Sequence, residues 1–254
     1  MQGKIVLITG ASSGIGKASA WKFAESGANL IITGRRKERL LDLKSAIEDK
    51  TGMKVQVLSF DIRNQHEVKS ALNSLDDKWK NIDILVNNAG LAAGLDEFQD
   101  ASLDDWEQMI DTNVKGLLYI SKIISKEMSE RKSGHIINIS SIAASNVYQK
   151  GHVYCATKHA VDAITKGMRI DLMPYNVRVS SVSPGLVETE FSLVRFKWDN
   201  ETAENVYKGY TPLKAEDVAD SVFYVANTPT HVNINDLIIM PTAQPNAYYL
   251  NKEE

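Results

Sequence analysis

The chain has 254 residues, 43% of them hydrophobic, and is therefore long enough to bury one large core. Its 29 Lys and Arg residues and 32 Asp and Glu residues are interleaved and give a formal net charge of -3. The chain thus lacks the concentrated positive charge that is typical of proteins binding nucleic acid or an anionic membrane. We expect a single domain, residues 1–254, whose partners are small molecules and further copies of the same chain.

Cysteine, histidine and the N-terminal segment exclude several other classes. Cys155 is the sole cysteine, so the chain has no intramolecular disulfide, and the five histidines form no pattern of metal ligands. We expect no bound metal. The apolar run near the N-terminus is too short for a signal peptide or a membrane span, which predicts a cytoplasmic location.

Seven apolar runs rich in β-branched residues alternate with segments of helical periodicity, as in repeated βαβ units. Several of these runs are apolar throughout, which indicates a parallel sheet covered by helices on both faces. The predicted fold is therefore α/β and doubly wound. The least regular stretch, 184–212, is predicted to form a lid over the substrate. The predicted strands are Lys4–Thr9, Asn29–Thr33, Lys54–Phe60, Ile82–Asn87, His135–Ser140, Val177–Val182 and Leu237–Met240.

A glycine-rich loop follows the first predicted strand and leads into a helix. Glycines at such a turn let the backbone approach a pyrophosphate closely, and the helix N-terminus presents free N–H groups to the anion. The spacing differs from the common G-x-G-x-x-G fingerprint, so a simple tight turn is the alternative. The strand-loop-helix context favours dinucleotide binding. The predicted contacts are Gly10, Ser12, Ser13, Gly14, Ile15 and Gly16.

The second predicted strand ends in Thr33-Gly34-Arg35-Arg36, where NAD-binding proteins usually carry an acidic residue for the ribose 2′-hydroxyl. Guanidinium groups match a phosphate in charge and geometry, so Arg35 and Arg36 favour NADP as the cofactor. A solvated first turn of the next helix is the alternative.

Two further strand ends bring polar groups to the same edge of the sheet, where ligands bind in open α/β folds. Asp61 and Ile62 follow the third predicted strand, and the fourth ends in Asn87-Asn88-Ala89-Gly90. Asp61, Ile62, Asn88, Ala89 and Gly90 are therefore predicted cofactor contacts, with a strand-ending turn as the alternative for the last three.

Together these motifs resemble the short-chain dehydrogenase/reductase family. The resemblance rests on Thr9–Gly16, Asn87–Gly90, Asn113, Ser141, Tyr154-x-x-x-Lys158 and Pro184-Gly185, which follow the family's order. It implies a Rossmann-type sheet of seven parallel strands, hydride transfer to or from an alcohol or carbonyl, and a homotetramer. The subunits would pair through the helices around Leu103–Met128 and Tyr154–Met173. The remaining implied cofactor contacts are Tyr154, Lys158, Pro184, Gly185, Val187 and Thr189.

The predicted chemistry centres on Tyr154 and Lys158, which lie four residues apart on a helix and share one face. Because a nearby ammonium favours the phenolate, we expect Lys158 to lower the pKa of Tyr154, the general base in oxidation and the acid in reduction. Ser141, at the end of the fifth strand, would donate a hydrogen bond to the substrate oxygen. For Asn113 the resemblance implies a catalytic role, holding a water that links Lys158 to solvent.

Within the family, the segments 34–36, 81–90, 190–196 and 231–235 resemble the NADP-dependent 3-hydroxy acid (serine 3-) dehydrogenases. The implied substrates are small 3-hydroxy acids of the serine, 3-hydroxypropionate or 3-hydroxyisobutyrate type. Arg195 is then the candidate clamp for the substrate carboxylate, beside Ser141 and Tyr154 at the reacting oxygen. The alternative is a surface or subunit-contact arginine.

Two other functions compete with this interpretation. A 3-ketoacyl carrier-protein reductase or broad-range carbonyl reductase would carry similar motifs, but the ketoacyl enzymes usually end in an Asp-Gly-Gly stretch, where this chain has Asn233-Ile234-Asn235-Asp236. A catalytically inert NADP-binding regulatory or scaffold protein would keep the fold alone. The presence of all four catalytic candidates argues against it.

Overall fold

The computed structural model describes residues 1–252, in which seven parallel strands form one sheet in the order β3-β2-β1-β4-β5-β6-β9. This confirms the predicted α/β fold, and the predicted strand ends differ from the observed ones by no more than two residues. β7 and β8 form a separate parallel pair. The strands are β1 Ile5–Ile8, β2 Asn29–Gly34, β3 Val55–Ser59, β4 Ile84–Asn87, β5 Gly134–Ile139, β6 Val177–Pro184, β7 Val187–Glu188, β8 Leu213–Lys214 and β9 Asp236–Ile239.

Helices cover both faces of the sheet. Short 3₁₀ turns occur at Ile142–Ala144 and Met173–Tyr175, and a π-helical turn at Asp111–Gly116 connects α5 to α6. The α-helices are α1 Gly14–Glu25, α2 Lys37–Thr51, α3 Gln65–Asn73, α4 Asp77–Lys80, α5 Leu103–Ile110, α6 Leu117–Glu130, α7 His152–Leu172, α8 Glu190–Arg195, α9 Asn200–Asn205 and α10 Ala215–Ala226.

The core consists of two apolar layers because successive strand residues point to opposite faces. In β1, Val6 and Ile8 pack with α1, α2 and α10, whereas Leu7 packs with α3 and α6 on the other side. All three side chains are fully buried. The continuous apolar runs in the sequence therefore reflect a sheet with no solvent face.

The segment 184–212 is more regular than the sequence analysis predicted. It contains β7, α8 and α9, and Thr189 and Asp199 cap the two helices through their side-chain oxygens. Each helix has only six residues, too few to give a clear periodic signal. No helix within residues 1–252 is both long and apolar enough to cross a lipid bilayer.

The chain leaves β1 toward one edge of the sheet and returns to β4 on the other side of β1, so the strand order reverses between these two strands. In open α/β sheets the crevice beyond the carboxyl ends at such a reversal is where ligands bind. The glycine loop after β1 and the polar residues after β4 meet at this point.

Candidate active site

A cavity of about 600 Å³ opens at the carboxyl ends of β1 and β4. It runs from the arginines after β2, past the glycine loop, to Tyr154 and Arg195 at the opposite end. Its volume lies within the range of small-molecule sites, which is about 300–1,000 Å³. The segment from β6 through α9 covers one side.

The glycine loop is shaped by close contact with the chain after β4. Gly10 has a φ of +67°, and a Cβ there would lie 2.9 Å from the Ala89 Cα. A Cβ on Gly16 would lie 2.5 Å from the Gly10 carbonyl oxygen and would also strike Asn88. Only glycine fits at these two positions, so the loop packs directly against the chain after β4.

Thr9 and Asn88 join the ends of β1 and β4. The Thr9 Oγ1 accepts hydrogen bonds from the backbone N–H groups of Asn88 and Ala89, at 3.0 and 2.9 Å. The Asn88 Nδ2 donates to the carbonyl oxygens of Thr9 and Gly10, at 2.9 and 3.2 Å. These bonds fix the floor of the cavity.

The two arginines after β2 have different surroundings. Arg36 donates from Nε and Nη2 to the Ser12 hydroxyl at 3.1 and 2.9 Å, and from Nη2 to the Ser13 hydroxyl at 2.7 Å. Arg35 is 57% exposed and lies 4.0 Å from the Asp61 carboxylate. Arg36 is therefore fixed against the glycine loop, whereas Arg35 stands in solvent at the rim.

Asp61 is bound chiefly by its own neighbour. The Arg63 Nη2 donates to the Asp61 carboxylate at 2.6 Å, and the Arg63 backbone N–H donates to it at 3.0 Å. Partial burial raises the pKa of Asp61, but the bonds from Arg63 lower it by more. The net pKa of Asp61 is therefore below its usual value. The carboxylate is thus an ionised acceptor at the edge of the cavity.

Tyr154 lies on the first turn of α7, and its side chain is almost fully buried at the inner end of the cavity. Its ring packs edge-on against Phe191 of α8 at a centroid distance of 5.7 Å. Burial raises the pKa of Tyr154 strongly, and the nearby Ser141 hydroxyl and the charge of Arg195 lower it by less. Ser141 and Tyr154 both line the cavity, and their joint role at the substrate oxygen stays a prediction.

Lys158 lies on the same face of α7 as Tyr154 and is also buried. Its Nζ donates to the Ile139 carbonyl at 3.0 Å and lies 5.9 Å from the centroid of the Tyr154 ring. Burial lowers the pKa of Lys158 to about 8. Desolvation of the phenolate is the largest effect on the Tyr154 pKa, and the lowering expected from Lys158 stays a prediction.

Asn113 lies in the π-helical turn and is buried away from the cavity wall. Its amide accepts from the Leu91 N–H at 2.9 Å and donates to the Leu91 carbonyl at 2.8 Å and to the Thr157 hydroxyl at 3.0 Å. π-bulges of this kind often mark functional sites. Asn113 thereby anchors the chain after Gly90 to α7, and the water link to Lys158 that the resemblance implies stays a prediction.

Arg195 ends α8 and turns its side chain toward Tyr154. Its guanidinium carbon lies 5.8 Å from the centroid of the Tyr154 ring and 5.6 Å from that of Tyr148. Nη1 donates to the Tyr148 hydroxyl at 3.2 Å, and Nε to the Gly94 carbonyl at 3.3 Å. A cation therefore stands beside the predicted acid and base.

Residues 4–200 match the short chain dehydrogenase family. The chain belongs to this family. It is 47% identical to the NADP-dependent 3-hydroxy acid dehydrogenase YdfG of Escherichia coli (strain K12) over 94% of the chain and 96% of that protein. It is 44% identical to the serine 3-dehydrogenase of Rhizobium radiobacter over 94% of each. Among solved structures, the closed form of a serine dehydrogenase complexed with NADP+ has a TM-score of 0.92 and 45% identity, covering 98% of this chain and all of that one.

Most of the predicted site residues of this short-chain dehydrogenase line the cavity. Two do not: Gly16 packs beneath the loop, and Asn113 lies behind the wall. Those in the lining are Gly10, Ser12, Ser13, Gly14, Ile15, Arg35, Arg36, Asp61, Ile62, Asn88, Ala89, Gly90, Ser141, Tyr154, Lys158, Pro184, Gly185, Val187, Thr189 and Arg195.

Tyr148, Phe191 and Gln244 are among the lining residues that were not predicted from the sequence. Tyr148 lies between Ser141 and Tyr154 in the chain, so its position was the available signal. Phe191 packs on Tyr154 from the lid segment, and Gln244 accepts from the Leu186 N–H at 2.9 Å. The last two reach the cavity only through the folding of distant segments, which no local pattern shows.

The residues present fit a dinucleotide that carries a 2′-phosphate. The glycine loop leaves no room for a Cβ at Gly10 or Gly16, and Arg35 and Arg36 place two positive charges at the adjacent end of the cavity. Within residues 1–252, no group of three or more His, Cys, Asp or Glu side chains is placed to hold a metal ion.

Proposed function

We propose that this short-chain dehydrogenase uses NADP to interconvert a 3-hydroxy acid and its 3-oxo acid or semialdehyde. Relatives with 44–47% identity over nearly the whole chain carry such activities in their names. The observation that carries the substrate class is the position of Arg195, whose guanidinium stands 5.8 Å from the Tyr154 ring. A 3-hydroxy acid presents a carboxylate two carbons from its reacting hydroxyl, which matches a cation beside the acid and base.

The cofactor would lie along the cavity with its phosphates on the glycine loop. We assign the 2′-phosphate to Arg35 and Arg36, because charge-assisted bonds to guanidinium groups are the strong ones for phosphate. Asp61 and Ile62 would border the adenine end, and Asn88 to Gly90 the floor. The segment Pro184–Thr189 would cover the nicotinamide end. When bound, the nicotinamide supplies the hydride acceptor or donor.

Tyr154 is proposed to take the alcohol proton in oxidation and to return it in reduction. Ser141 donates a hydrogen bond to the same substrate oxygen and so stabilises its developing charge. Lys158 would hold a positive charge behind the tyrosine and bind the ribose hydroxyls. Asn113 acts indirectly, by holding Leu91 and Thr157 in register with α7.

The proposed carboxylate site consists of Arg195 with Tyr148 beside it. A guanidinium holds a carboxylate through two parallel hydrogen bonds, and this would orient the carbon that gives up hydride. Loss of Arg195 should therefore lower kcat/KM for 3-hydroxypropionate about thirty- to a thousandfold. A secondary alcohol without the carboxylate should react nearly as before.

The test is to compare Arg195→Met with the parent enzyme on 3-hydroxypropionate and on a simple secondary alcohol, with NADP+ and with NAD+. The matched control is Lys197→Met, which removes an exposed cation that pairs with Asp105 instead. Equal losses on both substrates would show that Arg195 supports the lid segment only.

A substrate panel separates the proposed function from the competing ones. Serine, 3-hydroxyisobutyrate and 3-hydroxypropionate should be oxidised, and acetoacetyl thioesters should be poor substrates. Preference for the thioester would favour a 3-ketoacyl carrier-protein reductase. Binding of NADP without turnover of any of these would favour the inert protein.

We also propose that residues 184–212 act as a lid and that the enzyme is a homotetramer. Exposed apolar side chains support the second point: Leu103, Ile110 and Leu118 on α5 and α6 are 41–67% exposed, and Ile170 on α7 is 71% exposed. Apolar surface of this kind marks contact sites. The cytoplasmic location stays a prediction, which cell fractionation would test.

A further inference from the structure

Glu190, the first residue of α8, binds two arginines at the mouth of the cavity: Arg36, which is the N-terminal cap of α2, and Arg39, which lies in the first turn of α2. Its Oε2 accepts from the Arg36 Nη1 at 2.7 Å, and its Oε1 accepts from the Arg39 Nη1 at 2.6 Å. The Glu190 side chain is 29% exposed. An isolated exposed ion pair contributes little to stability. Here, however, one carboxylate bridges two guanidinium groups, and Arg36 is itself fixed by the hydroxyls of the glycine loop.

The start of α8 is packed onto the same loop. Thr189 caps the helix by accepting from the Phe191 N–H at 3.2 Å. A Cβ built on Gly14 would lie 3.3 Å from the Thr189 side chain, so the two chains are already in close approach. Thr189 and Glu190 thus tie the N-terminal end of α8 to the cofactor-loop end of the cavity.

The other end of α8 lies at the catalytic end of the cavity. Arg195, six residues into the helix, points at Tyr154 and donates to Tyr148 and Gly94. Its backbone carbonyl accepts from the Gly94 N–H at 3.0 Å. A rigid helix of six residues spans about 9 Å, so a shift at Glu190 is transmitted directly to Arg195.

We propose that Glu190 is a positioning residue that ties α8 to Arg36 and Arg39 and thereby places Arg195 beside Tyr154. The proposal rests on the proposed function, since it takes Arg36 as a cofactor contact and Arg195 as the substrate clamp. The arginines at the cofactor end and the cation at the substrate end are then parts of one connected unit. Arg39 is the member of this unit that neither cofactor nor substrate needs to touch.

The test is amide hydrogen exchange in the protein without added cofactor, which reports local opening of the lid segment. Glu190→Gln removes the charge and weakens both bridges. We expect the Gly94 and Phe196 amides to exchange about five- to tenfold faster than in the parent. Arg39→Gln should give a smaller increase, because Arg36 still holds the carboxylate. Glu190→Asp, which keeps the charge, should restore part of the protection.

Glu188→Gln is the matched control, since Glu188 is an exposed carboxylate of the same segment on β7. Unchanged exchange at Gly94 in Glu190→Gln, or an equal increase in Glu188→Gln, would overturn the proposal. In kinetics, Glu190→Gln should raise KM for 3-hydroxypropionate more than it lowers kcat, and it should have no further effect when Arg195 is already Met. Additive losses in that double variant would also overturn it.

The two proposals fail separately. An enzyme that does not oxidise hydroxy acids would refute the proposed function, but exchange at Gly94 would still report whether Glu190 holds the far end of α8. A different result would be faster exchange in Glu190→Gln while Arg195→Met still prefers hydroxy acids. Glu190 would then position α8, but Arg195 would not bind the substrate carboxylate.

Discussion

Tyr154 and Lys158 illustrate how burial sets the chemistry of single residues. Both lie on α7 in the wall of the cavity. Burial raises the pKa of Tyr154 and lowers that of Lys158, and each shift favours the uncharged side chain. The protein alone therefore holds an uncharged phenol and a lysine that stays mostly protonated at pH 7 but loses its proton more easily than an exposed one. Shifts of this kind, in a cleft and with named causes, are typical of functional sites.

Tyr154→Phe should abolish turnover, because it removes the proton that is exchanged with the substrate. We expect kcat to fall at least about a hundredfold, while the Kd for NADP changes by no more than a few-fold. Steady-state kinetics and a fluorescence titration of NADP measure the two effects. Tyr224→Phe, at an exposed position on α10, is the control. Activity within a few-fold of the parent would refute the assignment.

Lys158→Met should stabilise the protein while it removes activity. The pKa of Lys158 is about 8 in the folded state and 10.5 in the unfolded state. The buried ammonium therefore lowers the free energy of unfolding most below pH 8, and this cost declines up to pH 10.5. The unfolded state binds more protons between these values, so the stability of the parent rises with pH across that window. We expect the variant to be more stable by about 1–2 kcal/mol at pH 7, and by less at pH 9.5. Urea unfolding at both pH values measures this difference, and a less stable variant at pH 7 would contradict it.

At the scale of the element, β5 carries a buried polar layer through the centre of the sheet. The Asn87 Nδ2 donates to Asn138 and Ser121, each at 2.8 Å, and the Asn138 Nδ2 donates to Thr165 at 2.8 Å. At the start of the strand, His135 is 1% exposed and its Nε2 lies 2.8 Å from the Ser180 hydroxyl. These bonds fix the register between β4, β5 and β6 and join the sheet to α6 and α7.

His135 should make the fold sensitive to acid. Burial, assisted by the charge of Arg178, lowers its pKa to about 3 in the folded state, whereas the unfolded value is 6.5. Below pH 6.5 the folded state therefore binds fewer protons than the unfolded state. As the pH decreases, this group lowers the free energy of unfolding by up to about 1.4 kcal/mol per pH unit.

His135→Gln keeps a hydrogen-bonding side chain but does not titrate, so its stability should fall less between pH 6.5 and pH 5. Denaturant unfolding at these two pH values measures the slope. His66→Gln, on α3 and exposed, is the control and should retain the slope of the parent. If stability depends on pH equally in the parent and in His135→Gln, this histidine does not cause the sensitivity to acid.

At the scale of the whole molecule, the exposed apolar residues of α5, α6 and α7 bear on assembly. If the predicted homotetramer forms through these helices, Ile170→Glu should dissociate it, because a buried carboxylate without a partner is costly. Analytical ultracentrifugation should then give a smaller species than in the parent. Leu41→Glu, which places the same charge on an exposed leucine of α2, should leave the assembly intact. A monomeric parent would contradict the prediction.

The sequence by itself determined the layered fold and the main members of the site. The strands were readable because a sheet buried on both faces requires continuous apolar runs such as Val6–Ile8. The glycine loop was readable because its glycines are required by local sterics, at Gly10 by a positive φ and by contact with Ala89. Ser141, Tyr154 and Lys158 were found through a motif whose spacing on one helix and one strand end is also local.

Only the tertiary structure decided how these parts act on one another. Arg36 meets Glu190 from 154 residues away, Asn113 meets Leu91 and Thr157, and Arg195 meets Tyr154 from a short helix without a periodic signal. The Tyr154 pKa likewise depends on burial, which spacing does not reveal. Periodicity and motifs report contacts along one element, whereas the charge and hydration of a site depend on side chains that only folding brings together.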